Sequence, residues 1–125
     1  MGPDRPITTM LRMKRVYEPV SPEDGTRVLV ERLWPRGMTK ERAKVDIWCR
    51  DISPSPELRK WYGHRPERFP EFKERYLQEL KDNDKVEQLA RLSRRKDVTM
   101  VFATRDAERS NAMVLLEFFK ERGRG

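Results

Sequence analysis

Arginine-rich loops follow two apolar segments of this 125-residue sequence. Residues 27–31, RVLVE, run directly into RLWPRG, and residues 98–103, VTMVFA, run into TRDAERSN. Ligands of open α/β sheets bind beyond the carboxyl ends of the strands, so two neighbouring parallel strands would bring these loops together. Guanidinium groups match phosphate and carboxylate oxygens in a planar, forked geometry. The loops therefore predict an anion-binding site that contains Arg32, Arg36 and Arg105.

Four further residues could complete such a site. Trp34 and Trp61 offer flat faces against which a nucleobase or another ring of the ligand could pack. His64 and Asp106 are the candidate catalytic residues, because an imidazole or a carboxylate can take or give a proton. Pro35 restrains the first loop, so its arginines would lose little conformational freedom on binding.

Each of these residues also has a structural explanation. Trp34 and Trp61 could lie in or beside the core. Asp106 could cap the last helix or form an ion pair with Arg36 or Arg105, and its charge would repel an anion. His64 follows Gly63 at a helix end, where an imidazole interacts favourably with the helix dipole. The sequence alone leaves both sets of explanations open.

The overall charge also favours anionic partners. The chain has 28 basic and 21 acidic residues, which gives a net charge of +7. Such a charge suits nucleic acid as well as small anions such as nucleotides and phosphorylated metabolites. However, basic and acidic residues are interleaved in stretches such as EFKERYLQELKDNDK, which is typical of a solvated surface.

Several functional classes are not predicted. The sequence lacks a glycine-rich phosphate loop and the H-E-x-x-H, C-x-x-C and G-x-S-x-G motifs. One cysteine, Cys49, and one histidine are too few for a structural zinc site, so we expect neither a metal nor a cofactor. No apolar run approaches the roughly 20 residues that cross a bilayer, and the N-terminus lacks the apolar segment of a secretory signal. We therefore expect a cytoplasmic protein without a membrane partner.

Strand and helix patterns alternate along the chain. The alternation predicts an α/β, single-domain layered fold with a small, partly parallel sheet flanked by helices. Thr39 and Ser55 are predicted N-caps, and Gly63 ends the second helix. Strand patterns occur at 10–18, 27–31, 45–49 and 98–103, and helix patterns at 40–43, 56–62, 66–80, 84–94 and from 106 onwards. We expect the domain at residues 10–121, a mobile N-terminal tail at 1–9 and a basic C-terminal tail at 122–125.

Five motifs together cover about residues 15–119: KRVYEP, DGTRVLVERLWPRGMTKE, SPELRKWYGH, RFPEFKERYLQEL and VTMVFATRDAERSNAMVLLEFF. In these motifs the chain resembles the YeaO-like family, a bacterial and archaeal domain of unknown function. The resemblance implies an α/β domain but no established activity, and some members are labelled as transcriptional regulators. It draws attention to Arg32, Trp34, Arg36, Arg105 and Asp106, which match recurring motif positions.

The chain departs from the family pattern in its last motif. Members usually have an asparagine at the position of Ser110, whereas here Asn111 lies one residue later. One step along a helix turns a side chain by roughly 100°, so Asn111 does not simply replace the family's asparagine, and the sequence leaves open whether Ser110 or Asn111 takes its role.

Three hypotheses on function follow. The first is a crevice for a small anionic ligand, phosphorylated or nucleotide-like, which could be enzymatic. The second is a nucleic-acid-binding or regulatory module, whose affinity would fall steeply with salt. The third is a structural homodimer or interaction module, in which the aromatic residues form an interface and the arginines form ion pairs. We rank the anionic ligand first.

Overall fold

The structure, a computed structural model, describes residues 9–124 and the side chains of residues 9–122. Within these residues, four strands form one sheet, in which every pair of neighbours is parallel and the order is β1-β4-β2-β3. The strands are β1 (Leu11–Arg15), β2 (Thr26–Leu29), β3 (Ile47–Trp48) and β4 (Val98–Phe102). The α/β fold with helices flanking a small sheet is confirmed, and its described part is parallel throughout.

The two interior strands are those predicted from their continuous apolar residues. β2 and β4 lie side by side, with Val28 opposite Met100. All five residues of β4 are buried, as expected for a parallel strand covered on both faces. Before β2, Gly25 has a φ of +64°, and a side chain there would collide with the backbone of Asp97. Glycine is therefore required where the chain enters β2.

In the described part of the chain five α-helices accompany the sheet, and local sequence signals explain several of their ends. They are α1 (Lys40–Ala43), α2 (Pro56–Tyr62), α3 (Phe69–Lys81), α4 (Asp84–Arg95) and α5 (Asn111–Arg124). The Thr39 and Ser55 side chains accept backbone hydrogen bonds at the starts of α1 and α2, and Gly63 ends α2 with a φ of +53°. Asn83 caps α4 in the same way.

Some boundaries differ from the predicted ones. β3 contains only two residues of the predicted 45–49 strand. α5 begins later than predicted, after a turn of 3-10 helix at Ala107–Arg109. The Ser110 hydroxyl accepts a hydrogen bond from the backbone N–H of Met113 at 3.1 Å, so Ser110, and not Asp106, caps α5.

The ends of the predicted domain fall partly outside the described residues. Residues 1–8 of the predicted N-terminal tail, and Gly125, lie outside them, whereas the Thr9 hydroxyl donates to the Ser93 carbonyl. α5 continues to Arg124, past the predicted boundary at 121. Arg122 forms an ion pair with Glu87 of α4 at 2.7 Å, which ties this last turn to the domain.

The two faces of the sheet are covered differently. Helices α2–α5 enclose the larger core on one face, where the Tyr76 side chain is fully buried and its hydroxyl donates to the Ile52 carbonyl. On the other face, a smaller cluster is covered by α1 and by the loop after β2; it contains Val16, Leu29, Met38, Ala43 and Val101, with Trp34 and Trp48 against it. The RLWPRG loop is therefore part of the covering of this second face.

No helix in the part of the chain that the structure describes combines the length and apolar character needed to span a bilayer.

Candidate functional site

A cleft of about 500 Å³ lies beyond the carboxyl ends of β2 and β4. We call it the strand-end cleft. Glu31, Ala103 and Thr104 border it where the two strands end, and the start of α5 and the segment from Pro54 through α2 to His64 form its walls. Its position follows from the parallel pairing of β2 with β4, which brings the loops after both strands to one edge of the sheet.

Basic side chains line the strand-end cleft. Arg59 and Lys60 come from α2, and Arg109 from the turn before α5. Arg109 is paired with Asp106 at 2.8 Å, and both side chains are about half exposed. Among residues 9–122, neither Arg59 nor Lys60 has a carboxylate oxygen within 4 Å. The cleft thus carries two cations without an ionic partner in the described structure.

Glu31 is the acidic residue of this cleft. One oxygen of its carboxyl group accepts a hydrogen bond from the backbone N–H of Ala103 at 2.8 Å, which joins the ends of β2 and β4. Burial raises the pKa of Glu31, although the Ala103 N–H and the electrostatic influence of Arg59 and His64 partly oppose this effect. The carboxylate is therefore partly desolvated and held in place.

Hydrogen bonds fix the wall between α2 and α5. The Tyr62 hydroxyl donates to the Arg109 carbonyl at 3.1 Å, and the Tyr62 ring stacks on Phe72 with centroids 4.3 Å apart. The Asn111 amide donates to the Val30 carbonyl at 2.7 Å, which attaches the start of α5 to the end of β2. Burial, and then the charge of Asp106, raise the pKa of Tyr62, so this hydroxyl remains a donor at neutral pH.

A shallower cleft adjoins the first. His64, Arg105 and Asp106 line it together with Arg15 and Tyr17, and His64 borders both clefts. The backbone of His64 is left-handed, with a φ of +57°, which is uncommon for a residue with a side chain. Three of the residues predicted for the site, His64, Arg105 and Asp106, are thus brought together beside the strand-end cleft.

The two arginines of the RLWPRG loop lie elsewhere. Arg32 is half-buried and donates to the carbonyls of Ser53 and Pro54 at 3.3–3.4 Å. The side chain of Arg36 is exposed, and its carbonyl accepts a hydrogen bond from Tyr17 at 2.8 Å. Neither arginine lines the strand-end cleft or its shallower neighbour.

The two predicted tryptophans have structural contacts. The Trp34 indole N–H donates to the Met38 carbonyl at 2.6 Å, and its ring meets Trp48 edge to face at 5.4 Å. Trp61 packs against the larger core, and the guanidinium groups of Arg68 and Arg75 lie 5.2 Å and 4.5 Å from its ring centroid. Neither ring lines the strand-end cleft.

The residues of the strand-end cleft that were not predicted from the sequence include Glu31, Arg59, Lys60, Tyr62 and Arg109. A signal existed for Glu31, since it directly follows the apolar run of β2 at the edge where the site was predicted. Arg59 and Lys60 carry no such signal, because charged residues on a short helix are usually solvated. Residues 9–124 contain no group of three His, Cys, Asp or Glu side chains placed to hold a metal ion.

Comparisons with known proteins agree with the resemblance seen in the motifs. Residues 10–124 match the family described as the inactive DUF488-N3 subclade. The chain belongs to this family. It is 50% identical over 114 residues to the uncharacterized protein Rv3073c of Mycobacterium tuberculosis strain H37Rv, covering 91% of this chain and 97% of that protein. It is 34% identical over 111 residues to the uncharacterized protein YeaO of Escherichia coli K12, covering 88% and 96%.

The match to the inactive DUF488-N3 subclade spans nearly all of the described domain, and both relatives match along almost their whole length. The YeaO-like resemblance is therefore confirmed. No solved structure gave a significant match.

Proposed function

We propose that this member of the inactive DUF488-N3 subclade binds a small anionic ligand in the strand-end cleft. The observation that carries the proposal is the pair of basic side chains, Arg59 and Lys60, that line a cleft of about 500 Å³ without an ionic partner among residues 9–122. This volume falls within the range of about 300–1,000 Å³ that is usual for small-molecule sites. A bound anion would supply the missing opposite charge.

The proposed role is binding rather than catalysis. The family is described as inactive. Asp106, one of the two residues predicted to transfer a proton, is exposed and already paired with Arg109. Its pairing with Arg109 also supports anion binding, because a neutralised carboxylate repels an anion less than a free one.

Ligand-dependent stabilisation tests this proposal. Wild-type protein is heated with inorganic phosphate, sulfate, citrate and a set of phosphorylated metabolites, and the unfolding midpoints are compared. A ligand at 100 times its Kd stabilises the folded state by about 2.7 kcal/mol. We expect at least one anion to raise the midpoint of the wild type but not that of the Arg59→Ala/Lys60→Ala variant.

The Lys40→Ala/Arg42→Ala variant is the matched control. It removes the same two kinds of charge from exposed positions of α1, which covers the opposite face of the sheet. We expect it to respond to the anion as the wild type does. Equal responses from all three proteins would overturn the proposal, because the anion would then act without the cleft. So would the absence of a response to every anion.

A further inference from the structure

We propose that the ligand of the strand-end cleft is the phosphate monoester of a polyhydroxylated compound, such as a sugar phosphate. Its phosphate would lie at Arg59 and Lys60, and one of its hydroxyl groups would donate a hydrogen bond to Glu31. This inference rests on the proposed function, since it adds the chemical class of the ligand to the same cleft.

Glu31 provides a fixed hydrogen-bond acceptor in the cleft. One carboxyl oxygen is held by the Ala103 N–H at 2.8 Å. The other oxygen has no hydrogen-bond partner among the described residues, whereas every buried side-chain nitrogen and oxygen in that part of the chain has one. The second oxygen is therefore accessible, and the surface that Glu31 borders is the strand-end cleft. A ligand group that meets this oxygen must be a donor.

The surrounding charges select a hydroxyl group rather than an ammonium group as this donor. Arg59, Lys60 and Arg109 line the same cleft as Glu31. The positive charge of Arg59 already acts on the Glu31 carboxylate. A second cation would be repelled by these neighbours, but a neutral hydroxyl would not. The ligand thus combines an anionic end with a neutral donor.

The aromatic residues of the cleft favour a sugar over a nucleobase. Tyr62 and Phe72 line the cleft, but only 8% and 2% of their surfaces are exposed, and their rings stack on each other. Trp34 and Trp61 lie outside it. A nucleobase is usually held against an exposed tryptophan, tyrosine or phenylalanine face, and the described lining offers none, since the exposed ring in it is the small imidazole of His64.

Calorimetric titrations can test the ligand class. Glucose 6-phosphate, butyl phosphate, AMP and inorganic phosphate are titrated into wild-type protein and into Glu31→Gln, Glu31→Met and Arg59→Ala/Lys60→Ala variants. A hydrogen bond to a charged group contributes about 1.5–3 kcal/mol, so the wild type should bind glucose 6-phosphate about tenfold or more tightly than butyl phosphate.

The glutamine variant can still accept from Ala103, but its amide N–H₂ then faces the cleft. A sugar hydroxyl can accept from this amide, but the bond is then neutral and no longer charge-assisted, so we expect a reduced preference for glucose 6-phosphate. The affinity for butyl phosphate should not fall, because a negative charge leaves the cleft.

The Glu31→Met variant offers the ligand neither a donor nor a strong acceptor, so it should lose the preference for glucose 6-phosphate completely. A measurement on the wild type alone avoids any effect of mutation on folding. In a series of monodeoxy analogues of glucose 6-phosphate, removal of one particular hydroxyl should weaken binding about tenfold, and removal of the others should have little effect. If no single hydroxyl matters, the inference fails.

The outcomes separate the two proposals. If no phosphate compound binds the wild type, both fail. If phosphates bind through Arg59 and Lys60 but the variants of Glu31 keep the preference for glucose 6-phosphate, only the ligand class is wrong. Tighter binding of AMP than of glucose 6-phosphate by the wild type would also overturn the ligand class and leave anion binding in place.

Discussion

The two ends of strand β2 carry the same kinds of charged residue in opposite arrangements. Asp24 and Arg27 lie at its amino end, are almost completely buried and are bonded to each other at 2.7 Å. Glu31 lies beyond its carboxyl end, where Arg59 and Lys60 share a cleft with it and have no carboxylate within 4 Å among residues 9–122. Charge is therefore internally compensated at one end and available to a ligand at the other.

Hydrogen bonding at the amino end is nearly complete. Asp24 also accepts from Lys14 at 2.9 Å and from the backbone N–H of Ser21 at 3.0 Å, and the Arg27 guanidinium donates twice to the Ala43 carbonyl. Burial by itself would raise the pKa of Asp24, but the hydrogen bonds from Lys14, Ser21 and Arg27 outweigh it and lower that pKa. The basic residues of this chain therefore divide into structural and accessible ones according to their partners.

Breaking the ion pair at the amino end should give the largest effect. The Arg27→Met change would leave the buried carboxylate of Asp24 without its most deeply buried partner, and breaking a buried ion pair typically costs about 3–5 kcal/mol of folding free energy. Urea unfolding at pH 7 measures the loss. Lys14→Met is the control, because the Lys14 side chain is 21% exposed and its loss should cost only about 1 kcal/mol. Equal losses of unfolding free energy in the two variants would show that the buried and the partly exposed partner of Asp24 contribute alike.

A change at the carboxyl end should have the opposite sign. Glu31→Gln removes a partly desolvated charge but keeps an acceptor for Ala103, so we expect a gain in stability at pH 7 on the order of 0.5–1 kcal/mol. Because the folded-state pKa of Glu31 is raised, the unfolded chain ionises first as pH rises, and the wild type loses stability between the two pKa values.

The advantage of the glutamine variant should therefore shrink as pH falls below the usual range of a glutamate and persist above the raised pKa. Urea unfolding of both proteins between pH 3 and pH 8, roughly the range over which carboxyl groups titrate, measures this difference. A difference that does not change with pH would show that the charge of Glu31 carries no folding penalty.

The smallest effect is expected for Arg36→Ala, the change that bears most directly on the RLWPRG loop. The Arg36 side chain is exposed, and the contact of this residue with Tyr17 uses its backbone carbonyl. We expect a stability change within about 0.5 kcal/mol and an unchanged response to anions in the thermal assay. Loss of the anion response would instead assign Arg36 to the site, as its position in the sequence predicts.

Local signals were sufficient to predict most of the fold. Ser55, Pro56 and Gly63 delimit α2, and the uncharged run of β4 indicated an interior strand. These signals act within a few residues, so they can be read from the sequence. The start of α5 could not, because Asp106 and Ser110 are both good capping residues and only the fold determines which of them meets the free N–H groups.

The location of the candidate site could be predicted, but most of its residues could not. Parallel strands place their carboxyl ends at one edge, and β2 and β4 were recognisable. The direction of each loop side chain depends on distant partners. The Arg32 guanidinium meets the carbonyls of Ser53 and Pro54, and Trp34 packs on Trp48. Such contacts leave no periodic pattern in the sequence.

The edges of the sheet bear on how copies of this protein could associate. β3, at one edge, has only two residues, and β1, at the other, contains Arg12 and Lys14. Short or charged edge strands are poor templates for adding a strand from another molecule. Growth of the sheet from chain to chain is therefore disfavoured, and a homodimer would have to form through helices or loops instead. The same feature should protect the protein from edge-to-edge aggregation at high concentration.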